Sequence, residues 1–281
     1  IEWARIRETD GHPQPWGVVW FEYGNESYIG DLRGQKFTAD QYAQNYLQYR
    51  QAMKAVDPAI KLGAVVFHAP SPEDWTARVM LGIGAAVDYY VEHQYVTGYA
   101  ANDGNPPADT LYAIALAGTG YELTADYRRL HELSVELTGR SDIPIAVTEF
   151  NGGFEQNTPV KYRHTLGTAL MNAEHIGRLM RAPNVAFANY WQYANSYWGM
   201  VKAPPYAPSY VLRPNYYPFE FYHQHFGDRL LNAQVQTGSY ETTGGYGVQP
   251  ATGIHQDEDV GSVNLIDGQP CQHPALGRRT Q

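Results

Sequence analysis

The stretch VVWFEYGNESY, residues 18–28, is apolar and rich in β-branched and aromatic side chains as far as Tyr23, then breaks at Gly24-Asn25-Glu26. An apolar run of this length predicts a short strand covered on both faces, as in a parallel sheet flanked by helices. The break matters because the carboxyl ends of such strands face the functional site, where loops vary while the strands hold them rigidly. Gly24 permits a tight backbone turn, so that the amide of Asn25 and the carboxylate of Glu26 can both project from the end of the strand.

The rest of the chain repeats this alternation. Thr38 and Gln41 have capping-box spacing, and Tyr42, Tyr46, Tyr49, Met53 and Val56 follow at intervals of three or four before Asp57-Pro58 ends a predicted helix. KLGAVVF (61–67) predicts the next strand, and Ser71-Pro72-Glu73-Asp74 has the composition of a helix start leading into residues 75–86. Residues 87–91 predict a third strand running into His93 and Tyr95, and residues 100–107 read as loop. Tyr127, Leu130, Leu133 and Leu137 mark a helix closed by Gly139. IPIAVTE (143–149) predicts a fourth strand ending in a carboxylate, Thr158-Pro159 opens a helix reaching about Arg181, and residues 185–191 predict a fifth strand. Five alternations imply an α/β fold with parallel strands and right-handed crossovers. From about residue 228 the texture changes to Gly- and Thr-rich sequence with strand-like alternation, so residues 1–227 and 228–281 are expected to be separate modules, the second β-rich.

Composition narrows the partners. The 281 residues carry a net charge of −9, are 17% charged and 14% aromatic, and so suit a neutral polar ligand. The negative balance and the lack of Lys/Arg runs exclude a nucleic-acid track. No stretch approaches the roughly 20 apolar residues of a membrane span. Cys271 is the sole cysteine, which excludes an internal disulfide framework and a cysteine-based metal site. Ile1 opens the chain without an initiator methionine or signal pattern, which reads as a cut N-terminus and leaves the compartment, extracellular or cytoplasmic, undecided.

Glu26 and Glu149 close two of the predicted parallel strands, which would bring both carboxyls to one rim. Taken singly, either glutamate reads equally well as a solvated loop residue or a helix-start acid. As a pair they are the minimum equipment for glycoside hydrolysis: one protonates the leaving oxygen while the other meets the developing oxocarbenium ion. The acid then needs a raised pKa and the other carboxylate must stay ionised. Tyr190-Trp191 and Tyr197-Trp198 could supply flat walls for sugar rings.

GHPQPWGVVWFEYGNE (11–26) resembles the segment that carries the acid/base glutamate of glycoside hydrolase family 51 α-L-arabinofuranosidases, members of clan A of retaining barrel glycosidases. VDYYVEHQY (87–95) is similar to that family's sixth barrel strand, ANYWQYAN (188–195) to its eighth, and PNYYPFEFYHQHFGDRL (214–230) to the segment entering its C-terminal β-sandwich. The resemblance implies a partial (β/α)8 TIM barrel, about strands 4 to 8, over residues 1–227, followed by part of a C-terminal β-sandwich over 228–281. It implies that the chain is an N-terminally truncated piece, since a full barrel takes about 250 residues and only one strand precedes Glu26. It further implies that Glu26 is the acid/base, Glu149 the nucleophile and Asn25 the partner of the sugar 2-hydroxyl. His93 and Tyr95 match a His-x-Tyr whose tyrosine hydrogen-bonds the nucleophile, and Gln192 matches a substrate-contacting glutamine.

The implied activity is a retaining, exo-acting removal of terminal α-L-arabinofuranosyl residues from hemicellulose or arabino-oligosaccharides, with the carboxyls about 5–5.5 Å apart. No cofactor or metal is implied, and His68, His164 and His175 lack metal-ligand spacing. Homo-oligomers are common in the family. Thr148-Glu149-Phe150-Asn151 departs from the Asp-Glu-Trp setting usual around the family's nucleophile and is closer to neighbouring clan members. A β-xylosidase or endo-glycanase is therefore the alternative enzyme, and an inactive or carbohydrate-binding fragment the alternative from another class.

Overall fold

Five strands form one parallel sheet in the computed structural model, which describes residues 2–30, 36–67, 74–96, 126–152, 164–194, 198–205 and 207–227. They are β1 (Trp20–Tyr23), β2 (Lys61–Val65), β3 (Tyr89–Val96), β4 (Ile145–Gly152) and β5 (Val185–Tyr190). Every neighbouring pair is parallel and the order in the sheet is the order in the chain. Consecutive βα units laid side by side in this way are the wall of a (β/α)8 barrel, so the sheet is a half-barrel of the expected kind. The predicted sandwich portion 228–281, residues 71–73, the loop 100–107, Thr158-Pro159, Tyr197, His68 and Cys271 lie outside the described residues.

Helices cover the outer face: α2 (Ala39–Val56), α3 (Trp75–Ile83), α4 (126–138), α5 (Leu166–Arg181) and, before β1, an exposed α1 (Glu2–Thr9). The capping box at the start of α2 is complete, with Gln41 N–H donating to Thr38 Oγ1 and Thr38 N–H to Gln41 Oε1. The tyrosines of α2 tie the helix to the sheet. Tyr42 Oη donates to the Tyr23 carbonyl at 2.7 Å and accepts from Val65 N–H at 2.8 Å, while Tyr46 Oη donates to the Leu62 carbonyl. These buried hydroxyls satisfy backbone groups at the ends of β1 and β2, and so fix the strand end from which Glu26 departs. Gly139 closes α4 in the left-handed conformation, its N–H bonding the Val135 carbonyl.

Some expectations shift. The run 18–23 becomes a strand only from Trp20, and β4 continues three residues beyond Glu149 to Gly152. Asp74 precedes α3 in the left-handed region and makes no side-chain cap, so the acid-rich helix start acts here without a capping bond. The short hairpin β6 (Val201–Lys202) and β7 (Val211–Leu212) and the helix α6 (Tyr216–His225) follow the sheet without a periodicity that announced them. No helix among the described residues is long and apolar enough to cross a membrane.

A histidine buried in the core between sheet and helices makes stability sensitive to mild acidity. His175 on α5 is fully buried, 4.7 Å from the Phe150 ring, and neither ring nitrogen has a hydrogen-bond partner among the described residues. Burial drives its pKa down to about 3. The unfolded chain therefore binds the extra proton first, below about pH 6.5, so stability is complete above that pH and falls as pH drops toward 3, by up to about 1.4 kcal/mol per pH unit. Urea midpoints measured from pH 7 to pH 5 are expected to fall less steeply in His175→Leu than in the wild type. Equal slopes would show that this histidine is not the acid-sensitive element.

Candidate active site

The departure of the chain from β1 sets the first carboxylate. Gly24 has φ +86° and Glu26 φ +45°, so two of three consecutive residues lie in the left-handed region, and a Cβ at position 24 would collide with Ser27 Oγ. Glu26 holds this conformation with its carbonyl accepting from Ile29 N–H at 2.9 Å. Such conformations are tolerated where the surrounding structure holds a functional group in place.

The second carboxylate comes from β4 through a break in register. Opposite β3, Val147 pairs with Glu92 and Glu149 with His93, leaving Thr148 as the extra residue. Opposite β5, Val147 pairs with Ala188 and Phe150 with Tyr190, so the same stretch is again one residue long. Consecutive strand residues normally face opposite ways. Here Thr148 and Glu149 both line a cleft of about 340 Å³ on the inner face of the sheet, together with Asn25, His93, Asn189 and Trp191.

His93, buried on β3, stands between the two carboxylates. Its Nδ1 lies 3.0 Å from Glu26 Oε1 and 3.4 Å from Glu149 Oε2, and the nearest ligand atoms of all three residues fall within 4.8 Å of one another. That donor set could also hold a metal ion, but a nitrogen already aimed at two carboxylate oxygens is accounted for by a charge-assisted hydrogen bond. Tyr95 Oη donates to Glu149 Oε2 at 2.6 Å. The Tyr28 hydroxyl also acts on the Glu26 carboxylate and helps lower its pKa.

The electrostatics follow from these contacts. The hydrogen bond from His93 holds Glu26 below the ordinary carboxylate range; burial opposes it, and attraction to His93 and the Tyr28 hydroxyl reinforce it. Burial works against a charged His93, but the bond to Glu26 and the charges of Glu149, Glu26 and Glu22 outweigh it, so its pKa is raised. The expectation that the acid glutamate carries a raised pKa is thus reversed for the unliganded site, where Glu26 is lowered and its partner His93 is raised.

Of the residues singled out in the sequence, Asn25, His93 and Glu149 line this cleft, and Glu26 and Tyr95 join them through their hydrogen bonds to His93 and Glu149. Gln192 is not among its lining residues. It follows a cis peptide after Trp191, and its amide donates to the Ala194 carbonyl at 2.8 Å. Tyr28, Glu22 and Asn189 were missed. Tyr28 lies two residues beyond Glu26, and Glu22 is a carboxylate inside an otherwise apolar run, an oddity that could have drawn notice.

Comparison with known proteins bears on the same segments. Residues 1–105 match the family described as Alpha-L-arabinofuranosidase 1 domain. A stretch of 108 residues is 34% identical to intracellular exo-alpha-(1->5)-L-arabinofuranosidase 1 of Bacillus subtilis (strain 168), covering 37% of this chain and 21% of that protein. Among solved structures, the thermostable GH51 α-L-arabinofuranosidase of Thermotoga petrophila RKU-1 superposes with a TM-score of 0.70 at 24% identity, over 90% of this chain and 50% of that one. The α-L-arabinofuranosidase of Thermotoga maritima, solved as an arabinose complex, gives 0.69 at 23% identity with the same coverage. The chain spans about half the length of these structures and about a fifth of the Bacillus protein. The structural likeness establishes the barrel fold.

Proposed function

We propose, from the match of residues 1–105 to the Alpha-L-arabinofuranosidase 1 domain family, that this chain carries the catalytic carboxyls of a retaining, exo-acting α-L-arabinofuranosidase. The observation that carries the reading is the approach of Glu26 and Glu149 to within 4.8 Å at their nearest carboxylate oxygens, with His93 between them and Glu149 on the cleft wall. A pair that holds a water between carboxyl and substrate stands about 6.5–9.5 Å apart, whereas a pair acting by double displacement stands about 5–5.5 Å apart. The arabinofuranosyl substrate and exo mode agree with the name of the Bacillus subtilis relative, and terminal residues of hemicellulose or arabino-oligosaccharides are the substrate class proposed.

In this reading Glu149 attacks the anomeric carbon, with Tyr95 holding one oxygen and so fixing the plane of the carboxylate. The acid proton starts on His93. A sugar in the cleft displaces water and disfavours charge on Glu26, and the proton then crosses the 3.0 Å bond to Glu26 and on to the leaving oxygen. Once Glu149 is esterified its negative charge is gone, which lowers the affinity of His93 for a proton. Glu26, now a carboxylate, takes a proton from the incoming water, and release of the sugar restores the charge on Glu149 and the proton on His93. Asn25, on the cleft wall beside Glu26, is placed to meet a sugar hydroxyl.

The test is the anomer first released from an aryl α-L-arabinofuranoside, followed by ¹H NMR, with an aryl β-D-xyloside as comparator. Early accumulation of α-L-arabinofuranose supports the reading; the β-anomer, or preference for the xyloside, overturns it. Sugar binding with no turnover above that of Glu149→Ala would favour a carbohydrate-binding role instead.

The turn at Gly24 adds a prediction. Gly24→Ala puts an L side chain at φ +86° against Ser27 Oγ, at a cost of about 1–2 kcal/mol, and displaces Glu26. Misplacement of a catalytic group by about 1 Å costs about 10²-fold in rate. Activity is therefore expected to fall far more than the melting temperature, and parallel assays of kcat/KM and thermal unfolding decide it.

A further inference from the structure

β1 places a second carboxyl on the wall that Glu26 overhangs. Glu22 shares its strand face with Trp20, and both line the cleft with His93 and Glu149. Nothing in the mechanism above employs it. Its Oε1 is buried and has no hydrogen-bond partner among the described residues, although buried polar atoms are normally paired. The Thr148 hydroxyl approaches it from β4 without a well-aligned hydrogen bond.

Burial keeps Glu22 above the ordinary carboxylate range. His93 on β3 and the Thr148 hydroxyl on β4 work against this, while the like charges of Glu149 on β4 and Glu26 beyond β1 add to it. A carboxyl that retains its proton offers both an O–H donor and a carbonyl acceptor. Around it the cleft has the character that suits a sugar ring: flat apolar faces from Trp20, Phe187 and Trp191, and amides from Asn25 and Asn189.

We propose that Glu22 is a third carboxyl of the active site, pairing with a ring hydroxyl of the arabinofuranosyl residue held in the cleft and setting how tightly that residue binds. The assignment rests on the glycosidase reading of the cleft. A site built to hydrogen-bond a substrate hydroxyl depends on that contact because the protein group is otherwise buried unpaired.

The experiment titrates the protein with L-arabinose, read by the fluorescence of the cleft tryptophans, and measures kcat and KM on an aryl α-L-arabinofuranoside. Glu22→Leu is expected to raise both Kd and KM by about 10- to 100-fold, while Glu22→Gln, which keeps a donor and an acceptor, stays within about 3-fold of wild type. Circular dichroism checks that the variants fold, and Glu22→Ser, a smaller polar replacement with the Glu22→Leu expectation, serves if the leucine variant does not. Unchanged Kd and KM in a folded Glu22→Leu or Glu22→Ser protein overturn the assignment and leave the hydrolase reading standing. Wild-type turnover no higher than that of Glu149→Ala overturns the hydrolase reading, and the role of Glu22 with it.

Discussion

Glu149→Ala is expected to lower kcat/KM toward an aryl α-L-arabinofuranoside by on the order of 10⁴-fold or more, because in the proposed mechanism it removes the atom that forms the covalent intermediate. The loss should barely touch the fold, since Glu149 faces the cleft while its neighbour Phe150 packs against His175 and Phe219 in the core. Azide supplies the diagnostic. A small anion entering the space left by the side chain would attack the anomeric carbon directly, restore turnover and give a glycosyl azide of inverted configuration. Restoration with retained configuration would mean that Glu149 is not the nucleophile. Removing it also takes one of the negative charges that raise the pKa of His93, so that pKa, followed by NMR, is expected to fall in the same variant.

Glu26→Ala is the second large effect, and its size is expected to depend on the leaving group. General acid catalysis contributes about 10²- to 10⁴-fold, and that loss should appear in full with a poor leaving group such as an alkyl alcohol. With 2,4-dinitrophenolate, which departs unprotonated, the first step survives and release of the sugar becomes limiting. Azide then accelerates release and gives the retained glycosyl azide, the opposite stereochemistry to the Glu149 variant. A uniform loss across leaving groups would remove Glu26 from the acid/base role. His93 loses its nearer carboxylate partner at 3.0 Å in this variant, so its proton affinity should drop as well.

The strands were readable because the relevant physics is local. Apolar runs bounded by turn residues, the Thr38-Gln41 capping box and the closing Gly139 depend on neighbours within a few positions, and the structure realises each of them. The carboxylates were legible from position alone, at the ends of two parallel strands. Less legible was whatever depends on partners distant in sequence. His93 is 67 residues from Glu26, and the bond between them, which decides the direction of the pKa shift, is a product of the sheet. Glu22 was hidden because the face a strand residue presents cannot be known before the register is. Gln192 shows the reverse limit: its motif was recognisable, but the turn after β5 directs its amide to the Ala194 carbonyl.

The unpaired Thr148 has a meaning for how such a chain can change over time. Val147 pairs with Glu92 and Glu149 with His93, so β4 absorbs Thr148 as an extra residue while Glu149 keeps the cleft-facing direction of its partner. Exchange of that threonine for another residue leaves the count intact, and its deletion would restore even alternation with Glu149 still on the cleft side, opposite His93. The length of β4 between Val147 and Phe150 can therefore change by one residue without turning Glu149 away, whereas the side chain at 148 is tied to the cleft wall and to Glu22.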